Sequence, residues 1–506
     1  MLTVCLLLLT FVVGVLGSII LRSHRNNQNY WRKKGLISYV KPIPVFGNFY
    51  SIMFRKESMA DYITQVYNLF PSAKYTGILQ FNIPTLVIRD PELIKDICVK
   101  NFDNFPDHKN FIPEDADPLF GRMVFFLTGS KWREMRQTLT PSFTGSKMKF
   151  LFELISKCSR DFVEYYLDHP NEANSVDMKE TSTRYATDVI ATTAFGITVN
   201  SLKDRNNEFY LRGTEAVDIN GVIRNIKIMA LATFTTFMKL IGEPIMSRST
   251  TRFFKRIIQE TIKIRNEKNI VRPDMIHLLM KASNNENGAK MSIDDIAAQG
   301  FIFFLGGFSS SSTVLASVIH ELAVNSEIQE KLRTEVDNFT KQEGEISYDT
   351  LFKMKYLDMI MSETLRKYPP NGIMDRVCVK SFTLPKSTPD SKEFETDLET
   401  VIWLPIYALH HDPKYFPDPE KFDPERFSDE NKDKINPYAY IPFGLGPRKC
   451  IGDRFALMEI KILIVHLLQN FVLEREERTK HPIEFERSFL IIPDGEMWVK
   501  FKKRGN

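Results

Sequence analysis

Five cysteines are spread through the sequence, and Cys450 alone stands in a setting that invites chemistry. It lies in the run Phe443-Gly444-Leu445-Gly446-Pro447-Arg448-Lys449-Cys450-Ile451-Gly452. Two glycines beside a proline let backbone approach a flat ligand closely. An apolar helix is predicted from about Asp453 to Phe471, so Cys450 stands where a loop becomes a helix. Unpaired N–H groups and the helix dipole there are expected to favour a thiolate, the form that binds metals. Phe443 can shield the sulfur from water, and Arg448 offers a planar fork to a carboxylate. The remaining cysteines are far apart, with no C-x-x-C pair and no zinc spacing, which argues against a disulfide framework and fits a reducing compartment. Cys5, Cys98 and Cys158 sit among apolar residues and read as small buried hydrophobes.

The Cys450 stretch resembles the haem-binding signature of the cytochromes P-450, Phe-x-x-Gly-x-Arg-x-Cys-x-Gly. Five fixed residues at ordinary usage arise by chance on the order of once in 10⁴ such chains, which disfavours a merely structural cysteine. Other motifs follow in that family's order. Glu363-Thr364-Leu365-Arg366 matches Glu-x-x-Arg, an i,i+3 ion pair that is weak alone but strong when followed by Pro424-Glu425-Arg426-Phe427. The resemblance makes Glu363, Arg366 and Arg426 a structural charge triad. It implies that Cys450 is the axial iron ligand of a haem (heme b) and that Phe443 and Gly446 shape its loop. Trp132 and Arg136, one helical turn apart, Arg376 and Arg448 become partners of the haem propionates.

The family's central helix usually carries Ala/Gly-Gly-x-Asp/Glu-Thr. Here the stretch is Leu305-Gly306-Gly307-Phe308-Ser309-Ser310-Ser311-Ser312-Thr313. Ser310 stands in the threonine position and Ser309 where an acid is usual. A serine hydroxyl can still donate and accept a hydrogen bond, so Ser310 and Ser309 are the candidate catalytic residues for proton delivery. The same serines could instead bond back to i−4 carbonyls and bend the helix, and the two roles are compatible. The glycines are expected to weaken helical bonding and open a groove. Phe111, Phe120, Phe125, Phe304, Phe308, Ile373, Met374 and Phe489 are candidate pocket residues, again by resemblance.

The elements that must position these groups follow from pattern. Strand-like runs occur at Tyr75 to Gln80 and Pro84 to Ile88, with Asn82 between them. From Lys131 to about Tyr368 the pattern is helical, with Glu321 to Phe339 one example. A proline-rich part with short strands such as Val401 to Leu404 precedes the cysteine loop. The fold class is mainly α with a smaller β-rich part, and the resemblance implies the cytochrome P-450 fold. Leu2 to Leu21 carries no charge. Twenty residues rising about 1.5 Å each make roughly 30 Å, one hydrocarbon thickness. Positive charge follows at Arg22, Arg25, Arg32, Lys33 and Lys34, so the run reads as an uncleaved transmembrane signal-anchor with the rest in the cytosol. The expected division is an anchor at 1–21, a basic and Pro-rich hinge at 22–48, and a catalytic domain at 49–506. Val222 to Ile241, also apolar, reads as buried helix because Arg224, Lys227 and Lys239 interrupt it.

Net charge is +4, too balanced to indicate nucleic acid. No dinucleotide fingerprint precedes a helix, so electrons must come from outside. The resemblance, closest to insect microsomal members in Asp117-Pro118-Leu119-Phe120-Gly121-Arg122-Met123, implies a monooxygenase of the endoplasmic reticulum membrane. It would use O2 and electrons from an NADPH-dependent microsomal reductase on lipophilic small molecules, xenobiotics such as plant toxins or insecticides. Lys131, Arg133, Lys432, Lys434, Lys449 and Arg454 are expected to steer that reductase. Two other readings stay open: a haem-thiolate isomerase or dehydratase working without reductase, and a haem protein that sequesters ligands without turnover.

Overall fold

Two short runs of apolar and β-branched residues pair as a hairpin, Tyr75–Gln80 against Ile83–Ile88, in register Gln80↔Ile83. The turn is tighter than expected. Phe81, not Asn82, takes the left-handed backbone (φ 60°), a conformation unfavourable for a residue with a Cβ. Its ring is buried at 5.9 Å from that of Phe49, and this packing offsets the strain. Val401–Leu404 runs parallel to Ile83–Ile88 and antiparallel to Met374–Val377, which completes a four-stranded sheet. That sheet carries Arg376. In the computed structural model the described residues are 28–110, 112, 114, 117–217, 227, 230, 246–272, 274–283 and 291–505. The apolar run 1–21, Arg22, Arg25, Phe111 and nearly all of 222–241 lie outside them. Trp31 and Leu36 pack into the sheet side of the core.

Among the described residues from 129 to 367 helices predominate, as the periodicity predicts. Ile293–Val324 crosses the middle of the molecule. It is apolar and long enough to span a membrane, but 67% of its most apolar stretch is buried inside the protein, so it is the core helix. It begins with a capping box between Ser292 and Asp295. Gly306–Ser311 within it widens to a π turn. The predicted helix from Glu321 to Phe339 is interrupted. One helix ends at Val324 and the next spans Ser326–Glu343. The cause is Asn325, whose side-chain N–H donates to the Glu321 carbonyl at 2.9 Å and to its carboxylate at 2.8 Å, in competition with helical bonding.

Phe304 and Phe308 correct the sequence reading. Both are buried in an aromatic cluster, with Phe304 centred 4.8 Å from Phe254, 5.0 Å from Phe308 and 5.4 Å from Phe209. Helical periodicity turns them toward the neighbouring helices, so both serve packing. Phe304→Ala is therefore expected to cost about 3–5 kcal/mol of stability by cavity formation, measured by denaturant unfolding. A change in substrate preference with unchanged stability would contradict this placement.

Candidate active site

The cysteine loop is built by two left-handed glycines, Gly444 (φ 76°) and Gly446 (φ 74°). A side chain at Gly446 would place its Cβ 2.0 Å from the Cys98 carbonyl oxygen, so only glycine fits. The Cys450 N–H donates to the Phe443 carbonyl at 2.9 Å and closes the loop. The helix Asp453–Asn470 follows, close to the predicted span.

Cys450 lies deep in the protein, yet its side chain is exposed, because it faces an internal hollow rather than the outer surface. Burial raises its thiol pKa, against the Gly452 N–H, Arg136 and Lys449, which lower it. This corrects the expectation that the helix terminus alone would favour a thiolate: desolvation outweighs it. A metal cation bound to sulfur reverses that balance. Cys98 and Cys378 are buried and Cys158 partly so, each with a thiol pKa pushed up by burial, to about 12 for Cys158.

The helix Gly129–Leu139 brings Trp132 and Arg136 to this loop on one face. Arg136 donates to the Lys449 carbonyl at 2.8 Å. Arg448 stacks over the Trp132 ring at 4.0 Å, pairs with Asp107 at 2.8 Å, and donates to the carbonyls of Pro106 (2.7 Å) and Leu127 (2.8 Å). Burial lowers its pKa to about 10. Arg376 reaches the loop from the sheet, donating to the Leu445 carbonyl at 3.2 Å, while its buried Nε has no partner. The structure thus brings Trp132, Arg136, Arg376 and Arg448 against the loop that holds Phe443, Gly446 and Cys450. An exposed sulfur, a backbone cradle and cationic groups with an unpaired donor fit a flat anionic iron cofactor.

The central helix packs against the Cys450 helix through its π turn. Gly306 is exposed, with no atom within 4 Å of where a Cβ would lie, so the groove predicted from the glycines is open there. Ser310 Oγ donates to the Gly306 carbonyl, and Ser312 Oγ to those of Phe308 (2.6 Å) and Ser309 (3.0 Å). The back-bonding of these hydroxyls is therefore real. Ser309 is half-buried. Phe125 is exposed, Phe120, Ile373 and Met374 are half-buried, and Phe489 packs its ring 5.6 Å from that of Phe49.

Behind the loop, Arg366 donates to Glu363 from Nε (2.7 Å) and Nη2 (2.9 Å), and Arg426 lies 3.4 Å from the same carboxylate. The resemblance gives this triad the role of locking the loop that presents the cysteine, and the sequence reading missed only His410, which joins the two. His410 accepts the Ile441 N–H at Nε2 (3.1 Å) while Nδ1 faces the Arg366 carbonyl (3.2 Å), so the ring is a neutral bridge. Burial pushes its pKa down to about 3, with His411 and Arg366 adding to the effect. A histidine lowered in the folded state costs nothing above the unfolded pKa, about 6.5, and costs progressively more as pH falls below it. Stability should fall by up to ~1.4 kcal/mol per pH unit from this group between pH 6.5 and its folded pKa. Urea titrations at pH 7 and 5 check this. His410→Gln should flatten the slope, and an unchanged slope would count against the neutral bridge. Asp107, His108 and Asp375 were also missed, because Asp107 meets Arg448 and His108 meets Asp375 only across 341 and 267 residues of chain.

Comparison with known proteins adds an independent finding. Residues 38–499 match the family described as Cytochrome P-450. Similar curated proteins include cytochrome P-450 9e2 of Blattella germanica, 42% identical with 95% of each chain covered. Probable cytochrome P-450 9f2 of Drosophila melanogaster is 39% identical over 94% of this chain and 96% of its own. Cytochrome P-450 6k1 of Blattella germanica is 34% identical over 90% and 89%.

Proposed function

This chain belongs to the cytochrome P-450 family, and from that premise we propose a membrane-bound monooxygenase of the endoplasmic reticulum, fed by an NADPH-dependent reductase. Membership makes it a haem-dependent monooxygenase. Its substrates in this proposal are small lipophilic compounds, xenobiotics such as plant toxins or insecticides. The observation that carries the reading is the exposed Cys450 on a glycine-built loop that Arg136, Arg376 and Arg448 hold.

Haem bound there supplies dioxygen activation, which an axial thiolate promotes. Each residue then has a role. Cys450 is the iron ligand. Gly446 and Phe443 fix the loop that presents it. Trp132, Arg136, Arg376 and Arg448 face the haem carboxylates, and the Arg448 fork is oriented by Asp107 and the Trp132 ring. Ser310 holds a proton at Oγ beside the open Gly306 groove and hands it on when it leaves the Gly306 carbonyl, with Ser309 holding water in place of the acid. Residues 49–506 form the catalytic domain, 22–48 the hinge and 1–21 the anchor, with the basic stretch on the cytosolic side. Arg454 is exposed beside the cysteine loop, whereas Lys131, Arg133, Lys432 and Lys449 pair with Glu114, Asp103, Asp429 and Asp453. Reductase docking thus draws on a mixed surface rather than on free cations alone.

Reconstitution tests the reading. With NADPH, reductase and O2, a panel of apolar aromatic and terpenoid compounds should yield oxygenated products. Omitting reductase should abolish them. Turnover of hydroperoxides without NADPH, and none of these products with it, would replace this reading by the isomerase. Spectral shifts on ligand binding with no product under either condition would replace it by sequestration.

A further inference from the structure

The face of the central helix that borders the open groove ends abruptly. Ile302, Gly306, Ser309 and Thr313 recur at helical spacing, Gly306 exposed and the others half-buried. One turn earlier, every residue from 296 to 301 is buried. Gln299 is the one polar side chain among them, and it is 0% exposed. A buried amide is costly unless its hydrogen bonds are made, so its role lies in its partners.

Both partners belong to one loop. Gln299 Nε2 donates to the Arg122 carbonyl at 2.7 Å, and its Oε1 accepts the Val124 N–H at 2.9 Å. Farther along the same loop, Arg448 donates to the carbonyls of Leu127 (2.8 Å) and Phe125 (3.4 Å). Segment 122–127 is thus strung between the central helix and the cysteine loop, with Phe125 and Phe126 between the two ties. The Phe126 ring lies 6.2 Å from Phe120, and Phe120 lies 5.7 Å from Phe301 on the central helix. We propose that Gln299 is a positioning residue for substrate: through the backbone of Arg122 and Val124 it fixes where this segment crosses the central helix, and so how long a substrate the groove at Gly306 admits. Gln299 lies two turns, about 10 Å, before Gly306 along that helix.

Donor and acceptor rules make the tie specific to an amide. The Arg122 carbonyl only accepts and the Val124 N–H only donates, so one side chain must supply a donor and an acceptor together. Leucine of similar size supplies neither, which leaves the buried Val124 N–H without a partner and frees the segment to shift. An ionised glutamate accepts from Val124 but sets an oxygen against the Arg122 carbonyl, whereas a protonated one donates to it and restores the tie. The charged groups around this site are engaged with one another. Arg122 pairs with Asp295 (3.2 Å) and Glu114 (3.0 Å), and Asp294 pairs with Lys255 of the helix Arg248–Lys268 (2.9 Å). Burial at position 299 therefore raises the pKa of a glutamate placed there.

The inference rests on the monooxygenase reading, and the experiment separates the two. Haem-loaded wild type, Gln299→Leu and Gln299→Glu, each first shown to give the thiolate-type reduced carbon monoxide spectrum, are titrated with phenyl n-alkyl ethers of rising chain length. The ligand-induced shift of the haem absorption band gives Kd for each ether, and reconstitution with reductase and NADPH gives the carbon oxidised. Wild type should bind one chain length best and oxidise it mainly at one carbon. Gln299→Leu should bind that ether about tenfold more weakly, the size of one to two net hydrogen bonds, accept longer ethers nearly as well, and spread oxidation over neighbouring carbons. Gln299→Glu should behave like Gln299→Leu at pH 8 and regain the wild-type optimum toward pH 6, as the proton returns the donor. If Gln299→Leu loads no haem, this pH comparison decides alone. A wild type with no length optimum would overturn the inference. So would an unchanged optimum in Gln299→Leu, even with uniformly weaker binding, or a Gln299→Glu profile that does not move with pH. The expected spectral pattern with no product from any protein would overturn the monooxygenase reading and leave the role of Gln299 standing.

Discussion

Cys450→Ser is expected to abolish the thiolate-type spectrum of the reduced carbon monoxide complex and to bring oxygenation to background. Partners that merely hydrogen-bond a metal ligand already account for about 10–100-fold in affinity or activity, so loss of the ligand itself should exceed ~100-fold. The result depends on geometry as well as sulfur. Cys98 is buried beneath Gly446, and Cys378 is buried with its Sγ 3.1 Å from the Lys380 carbonyl and from Thr396 Oγ1. Neither faces the hollow, so Cys98→Ser and Cys378→Ser should keep the spectrum and alter only stability. A surviving thiolate spectrum in Cys450→Ser would refute the assignment.

The second large effect is expected from Glu363→Gln. Glu363 and Arg366 are fully buried and doubly bonded, and the same carboxylate accepts the Asp423 N–H at 2.9 Å. Removing the negative charge leaves the Arg366 guanidinium buried without its counter-ion, a change of about 3–5 kcal/mol. That is a large part of a typical total of about 5–15 kcal/mol. The variant should unfold at much lower denaturant and purify with little haem, because Arg366 also holds the His410 bridge to the cysteine loop. Replacing both partners by apolar residues of similar volume should recover part of the lost stability, since no charge is then stranded. Unchanged unfolding in Glu363→Gln would show that the triad does not support the loop.

These two sites were legible in the sequence because each is a short motif whose residues keep their spacing in the fold. Cys450, Gly446 and Arg448 belong to one loop, and Glu363 and Arg366 to one helical turn. The hairpin at 75–88 was legible from its short β-branched and apolar runs, and only the position of its left-handed residue was not. Phe304 and Phe308 were misplaced because composition gives no direction: a helix surrounded by other helices buries aromatics all round. The break at Asn325 was hidden because periodicity continues across it, and a side-chain bond decides the boundary. His108, Asp375, Asp107 and His410 were invisible for a different reason. Each acts through a partner 31 to 341 residues away, and one sequence alone carries no sign of such pairings.

The central claim is that haem held by Cys450 places one atom of dioxygen in a lipophilic substrate. Isotopically labelled dioxygen, supplied with NADPH, reductase and a compound that the protein turns over, tests it most directly. The account predicts one labelled oxygen in each product, the other in water, and product tracking NADPH consumed. Product carrying unlabelled oxygen, or product formed at full rate without NADPH consumption, would contradict it.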